Sequence, residues 1–203
     1  MTEYLALEMH YLESARATIY VWNSGFLNEP FSVPHALEHM LIERTTPSMR
    51  GEDFLLLADR RGSKNNAEVY SMFSKYYSIS PPDSVLSTLP SLLDMVTNAL
   101  LDSAEFDIEK GTIRDEIRRT ESDPELFIPL LAKGLLFAVN PFLLCEQGPI
   151  EYVNRISVDD IARFRNEFYT PSNMTLFVYG SPQYAGSFDE RASRFHSETV
   201  GIF

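Results

Sequence analysis

The chain has 203 residues, 44% of them hydrophobic, and 17 basic against 29 acidic side chains give a net charge of -12. That length and apolar content predict one sizeable core and a single unit over residues 1–203, while the acidic excess repels phosphate backbones and anionic lipid, which excludes nucleic acid and membrane as expected partners. One cysteine, Cys145, allows no internal disulfide, no segment is long and apolar enough to span a bilayer, and the opening MTEYLALEMHYLES lacks the basic-then-apolar pattern of a signal peptide, so a cytoplasmic location is expected.

Two strand-like runs open the chain, EYLALEMHYL (3–12) and ARATIYVWNSG (15–25). The second alternates Ala17, Ile19 and Val21 against Thr18, Tyr20 and Trp22 until Gly25 and Asn28-Glu29-Pro30 break it, which predicts a hairpin leading into a turn. Ser32 offers a helix N-cap and Pro34 fits a first turn, and Leu37 and Leu41 continue with helical spacing. After the turn RRGSKNN (60–66), the aromatic and β-branched run AEVYSMFSKYYSIS (67–80) predicts one long strand or two short ones, closed by Pro81-Pro82.

Val85, Leu86, Leu89, Leu92, Leu93, Val96 and Leu100 then recur at three- and four-residue steps, a core helix that Pro90 either kinks or forces to start near Thr88. Asp107 is the expected cap of the next helix (108–120), which ends before Asp123-Pro124, and ELFIPLLAKGLLFAV (125–139) supplies another. Ser157 with Asp160 resembles a capping box for VDDIARFRNEFY (158–169), with Ile161, Phe164 and Phe168 on its buried face. NMTLFVYG (173–180) reads as a buried strand and DERASRFHSE (189–198) as a polar terminal helix. Strands followed mostly by helices predict an α+β fold, a mixed, largely antiparallel sheet covered on one side by helices.

The chemistry sits in VPHALEHMLIER (33–44), which holds His35, Glu38 and His39. Residues four apart on a helix stand nearly one above the other, so both imidazoles can reach one ion and make half of a tetrahedral zinc site. Glu38 lies beside them, placed to take a proton from a zinc-bound water without filling a ligand position. This H-x-x-E-H order is the inverted counterpart of the better-known zinc peptidase motif. A chain of this composition is expected to contain about 0.007 chance matches to it. The alternative is two histidines hydrogen-bonded on a helix surface, and a third ligand decides between the two.

With this motif the chain resembles the catalytic N-terminal unit of the insulinase/pitrilysin family of zinc metallopeptidases, which includes the mitochondrial processing peptidase. The resemblance covers nearly the whole chain. EKGTIRDEIRRTESDPE (109–125) matches the family's downstream stretch and puts the third ligand at Glu116, 77 positions after His39, with Glu109 matching a second acidic residue. Seven residues of helix separate the two by about 10 Å along the axis, so one ion does not bind both. Glu116 is expected as the ligand and Glu109 as the group that holds a histidine N–H and fixes its tautomer; the alternative for Glu109 is an ordinary exposed helix acid.

NNAEVYSMFSKYY (65–77) resembles the family's substrate-binding edge strand, and Asn66 and Ala67 match the pair that hydrogen-bonds the substrate backbone. The alternative for Asn66 is a turn residue opening an ordinary strand. Residues 140–180 resemble the closing half of the unit. Departures are Val33-Pro34 where the family has glycine and small residues, LIERT (41–45) in place of a lysine-glycine pair, and one extra residue after Asn66-Ala67, so Tyr76 and Tyr77 are given no substrate role. His10 and His196 are expected to bind no metal, Glu105 and Asp115 to face solvent, and Arg114, Arg118 and Arg119 to pair with surface acids.

The resemblance implies a zinc endopeptidase for short or unstructured peptides, with one zinc per chain. Family enzymes join two or four such units, so a partner is expected: a second copy, or a homologous unit lacking the motif, giving a homodimer or a heterodimer. A chamber-forming subunit without catalysis is the alternative from the binding class. A purely structural zinc is a third, and three ligands beside a free carboxylate fit it less well than four closed ligands would.

Overall fold

The structure, a computed structural model, describes residues 14–28, 32–42, 46, 54–82, 84–179 and 200–202. Strand β1 (Ala15–Trp22) turns Ala15, Ala17, Ile19 and Val21 into the core and sends Arg16, Tyr20 and Trp22 to the opposite face, as the two-residue period of a strand requires. The 67–80 run resolves into a hairpin: β2 (Lys64–Val69) and β3 (Phe73–Ser80) pair antiparallel, with Asn66 opposite Tyr77. β1 lies antiparallel between β3 and β4 (Met174–Tyr179), and β5 (Val200–Ile202) adds parallel to β4. The order is β2-β3-β1-β4-β5, a mixed, largely antiparallel sheet with β2 at one edge.

Helices cover one face of it. α1 (Val33–Ile42) packs on β2, α2 (Phe54–Asp59) on β2 and α3, and α3 (Val85–Asn98) on β3 and β1. Behind α1 stand α4 (Ser103–Ser122) and α7 (Val158–Phe168), while α5 (Pro124–Phe137) and the short α6 (Ile150–Val153) pack on α4. The other face carries an aromatic cluster in which Tyr20 meets Trp22, Phe73 and Phe177 at centroid separations of 5.4 to 5.6 Å. Arg16 lies over the Tyr77 ring at 4.1 Å. No helix among the described residues is long and apolar enough to cross a membrane.

Several sequence expectations are corrected by local hydrogen bonding. α4 starts at Ser103, four residues before Asp107, because the Asp102 carboxylate accepts from the amides of Ala104 and Glu105. α3 starts at Val85 and runs through Pro90, whose missing N–H deprives only the carbonyl four residues earlier; Leu100 lies beyond its end. The Ser32 carbonyl accepts the first amide bond of α1, yet its hydroxyl does not cap the helix and donates instead to the carbonyl of Gln147 at 2.6 Å. Arg114 donates to the Asn154 side chain, not to an acid, whereas Arg118 does pair with Asp115. Ser157 and Asp160 form the expected capping box on α7. The expected first strand (3–12) and terminal helix (189–198), with His10 and His196, lie outside the described residues.

Helix α5 is apolar nearly all round but buries only Leu130 and Gly134 among its described side chains, leaving Leu135 and Leu136 75% and 78% exposed. On the sheet side, Gly25 lies so close to the β2–β3 turn that a Cβ there would sit 2.3 Å from the Tyr70 carbonyl oxygen, and this approach lets the amides of Phe26 and Leu27 donate to Tyr70 and Ser71. Gly25→Ala forces backbone against backbone and is expected to cost about 1–3 kcal/mol, read as a lower urea midpoint with an unchanged slope.

Candidate metal centre

α1 is wedged between the sheet and α4, with Val33, Ala36, Leu37, Met40 and Leu41 buried. His35 shares that buried face at 3% exposure, so the motif is not a pair of surface histidines. The spacing of four brings the two rings together edge to face, with centroids 4.7 Å apart. α4 crosses behind them and presents two acids from one face, about two turns apart. Glu116 Oε2 lies 3.5 Å from Nε2 of His35 and 3.5 Å from Nε2 of His39. Glu109, 4% exposed, places Oε2 at 3.3 Å from Nδ1 of His39.

These separations test whether the residues fit a metal. Ligand atoms at zinc bond lengths on a tetrahedron lie about 3.3–3.4 Å apart. Both nitrogen-to-carboxylate distances are close to that value, and the three donor atoms all fall within 4.8 Å of one another. At 3.5 Å the same contacts are long for direct hydrogen bonds. With Glu109 at its Nδ1, a neutral His39 would keep its proton on that nitrogen and turn the Nε2 lone pair to the cluster. Two neutral-capable imidazoles and one carboxylate form a donor set suited to zinc, and the residues fit.

The electrostatics of the metal-free cluster agree. Burial and the nearby His39 lower His35 to about 4, against the pull of Glu116. For His39 burial also opposes the charge, but the Glu109 and Glu116 hydrogen bonds outweigh it and raise the imidazole to about 9. Glu116 is depressed well below the usual carboxylate range: burial works against ionisation, and the contacts with His39, His35 and the Gln147 amide prevail. That amide, Nε2 of Gln147, donates to Glu116 Oε1 at 2.9 Å.

Glu38 lies outside the three-donor cluster but lines the same cleft, a cavity of about 580 Å³ that His35, Glu116, Ala67, Val69 and Tyr70 also face. Burial raises Glu38 to about 7, reinforced by Glu116, Glu146 and Glu68 and opposed by His39. Ala67 therefore borders the cleft, on the edge strand. Its neighbour Asn66 is exposed, does not line the cleft, and donates to the Tyr77 hydroxyl at 3.4 Å. Tyr76 is buried and bonded to the hydroxyl of Tyr169 at 2.7 Å. Sequence reasoning does not single out Gln147, Lys133, Tyr70 or Glu146, all near this cleft, because nothing local marks them.

Residues 6–135 match the family model described as insulinase, peptidase family M16. The chain belongs to the insulinase family of peptidases. Its relatives include a zinc protease of Streptomyces coelicolor, 27% identical over 147 residues, covering 72% of this chain and 32% of that protein. The β subunit of the mitochondrial-processing peptidase of Dictyostelium discoideum is 26% identical over 182 residues, covering 87% of this chain and 38% of that one. Among solved structures, a protease from Helicobacter pylori superposes with a TM-score of 0.78 at 19% identity over 93% of this chain and 46% of its own. The first half of the periplasmic protease PqqL from Escherichia coli gives a TM-score of 0.77 at 19% identity, over 93% of this chain and 43% of that half. The family is thus one of zinc peptidases and the fold is that of its units, but the chain spans about a third of the length of these two sequence relatives.

A charged His39 must lose its proton before its nitrogen can hold a metal. Because the folded metal-free protein keeps that proton up to about pH 9, zinc affinity should rise about tenfold per pH unit from neutrality towards that value and then level off. Chelator competition across this range measures the slope, and calorimetry in buffers of different ionisation heat counts the released proton.

Proposed function

We propose that the chain, as one unit over residues 1–203, is a zinc-dependent endopeptidase acting on short or unstructured peptides. The observation that carries this reading is the placing of Glu38, in the same cleft as His35 and Glu116 but outside the donor cluster that these two form with His39. His35, His39 and Glu116 hold the metal, and Glu109 orients His39. When bound, zinc polarises the scissile carbonyl as a Lewis acid and makes water a better nucleophile at neutral pH. Glu38 takes the proton of the attacking water and passes it to the leaving amine. A carboxyl raised by burial towards neutrality suits a group that must both accept and donate.

The substrate lies along β2, whose outer edge is unpaired among the described residues. An extended peptide added there would be held by main-chain hydrogen bonds beside Asn66 and Ala67, with Ala67 leaving room for its side chains at the cleft. Strand pairing of this kind reads backbone, which favours unstructured peptides over folded ones.

A second unit completes the enzyme, a second copy of this chain or a homologous unit without the motif. Relatives two to three times as long, and the exposed apolar length of α5, support this. A unit seated on α5, which contributes Lys133 to the cleft, would exclude water from the reacting atoms.

The chain, alone and with candidate second units, is expected to bind one zinc and to cleave a quenched unstructured peptide, with chelator abolishing cleavage. Glu38→Gln should keep the zinc and lose at least about a thousandfold in kcat, in the range that removal of an essential acid–base group reaches. Zinc held while no peptide is cut in any combination would instead mark a chamber-forming subunit. Leu135→Glu together with Leu136→Glu should abolish association with the second unit while leaving zinc content unchanged, as size-exclusion and metal analysis would report.

A further inference from the structure

The third donor of the cluster differs from the other two in how it is held. His35 and His39 sit on one helix, within its buried turn, whereas Glu116 comes from α4 and its side chain is 32% exposed. A partly exposed carboxylate on a flexible stem has many rotamers, and only those that turn Oε2 to both imidazoles serve a metal. One contact selects among them: the side-chain amide of Gln147 donates to Oε1 at 2.9 Å, and Oε2 is then the oxygen that lies 3.5 Å from each Nε2. The reverse amide orientation would set oxygen against carboxylate oxygen, so the donor assignment follows from charge.

Gln147 is itself fixed from the other side of the site. Its carbonyl accepts from Ser32 Oγ at 2.6 Å, and Ser32 is buried at the start of the helix that carries the histidines. Gly148 closes this clasp: it takes a positive φ of 65°, and a Cβ there would fall 2.0 Å from Ser32 Oγ. The loop is thus tied by backbone to α1 and by side chain to α4. The other end of the amide is left unsatisfied, since Gln147 Oε1 is buried with no hydrogen-bond partner among the described residues. A buried orphan oxygen is unfavourable. A side chain that served only to pack would be better apolar.

We propose that Gln147 is a positioning residue of the metal centre, which locks the Glu116 carboxylate between the α1 clasp and the imidazole pair and so sets the affinity for zinc. The inference rests on the reading of His35, His39 and Glu116 as metal ligands. Gln147 does not line the cleft, so the role is one of positioning through Glu116.

The test is zinc affinity of the full chain by competition with a chromophoric chelator, alongside the thermal midpoint of the metal-free protein. Gln147→Met, of similar length without the donor, should weaken zinc binding about 10–100-fold, the usual effect of removing a partner behind a ligand, and leave the metal-free midpoint unchanged or higher because the orphan oxygen is gone. Gln147→Glu, which keeps size and shape but sets a carboxylate against Glu116, should weaken it at least as far. In a Glu116→Ala background both substitutions should have no further effect, because the group they act through is absent. Affinity within twofold of wild type in both variants overturns the role of Gln147 while leaving the metal site standing, and so does a loss that persists undiminished without Glu116. A wild-type chain that binds no zinc overturns the site itself, and this inference with it.

Discussion

Two imidazoles and two carboxylates meet where α1 crosses α4, and three of the four are largely shielded from water. Taking such groups out of solvent is unfavourable unless each finds a partner, and losing one member of a buried set leaves the others uncompensated. The chain meets this demand by pairing across the crossing, with Glu109 on one nitrogen of His39 and Glu116 on the other. The crossing angle and register of the two helices are therefore constrained by polar geometry as well as by Ile113, Ile117, Leu37 and Leu41 in the surrounding core. Even without an ion the arrangement holds together as an ion-pair network, which explains how a donor set can be preformed by packing.

The same crossing gives the two acids different positions. Both glutamates face α1 from one side of α4, two turns apart, and helical rise carries them to different ends of the His39 ring. One reaches Nδ1 and the other Nε2, so a single imidazole is addressed by two carboxylates in different ways. His35 has no such second partner: its Nδ1 is buried and unbonded among the described residues, and its tautomer is set only by what lies at Nε2.

Much of this arrangement is legible in the sequence. The spacing of His35, Glu38 and His39 encodes a shared helical face, and resemblance to family members points to Glu116 and Glu109, whose different reach follows from helix rise. Caps are legible unevenly. Ser157 and Asp160 satisfy each other within one turn, so sequence suffices, but Asp107 competes with Asp102 as a cap because D-S-A-E at 102–105 carries the same kind of signal. Ser32 misleads because its hydroxyl has a better acceptor 115 residues away. Gln147 and Lys133 escape notice for a related reason, since what makes them neighbours of the site is tertiary contact and not any local pattern. The short helix α2 and the three-residue β5 carry too few residues for periodicity to register.

Among the described residues β2 is an edge strand, and an edge has a cost that the inner strands avoid. Its outward amides and carbonyls form a ready template for any extended chain, including another copy of itself. Covering that border would protect the molecule but also close it to visitors. The strand instead stays six residues long and carries Lys64, Asn65, Asn66 and Glu68, polar or charged side chains that discourage ribbon growth from one molecule to the next. Solubility at high concentration is thus tied to a handful of hydrophilic side chains on one short border, and replacing them with β-branched apolar residues would turn that border into a seed for fibrils.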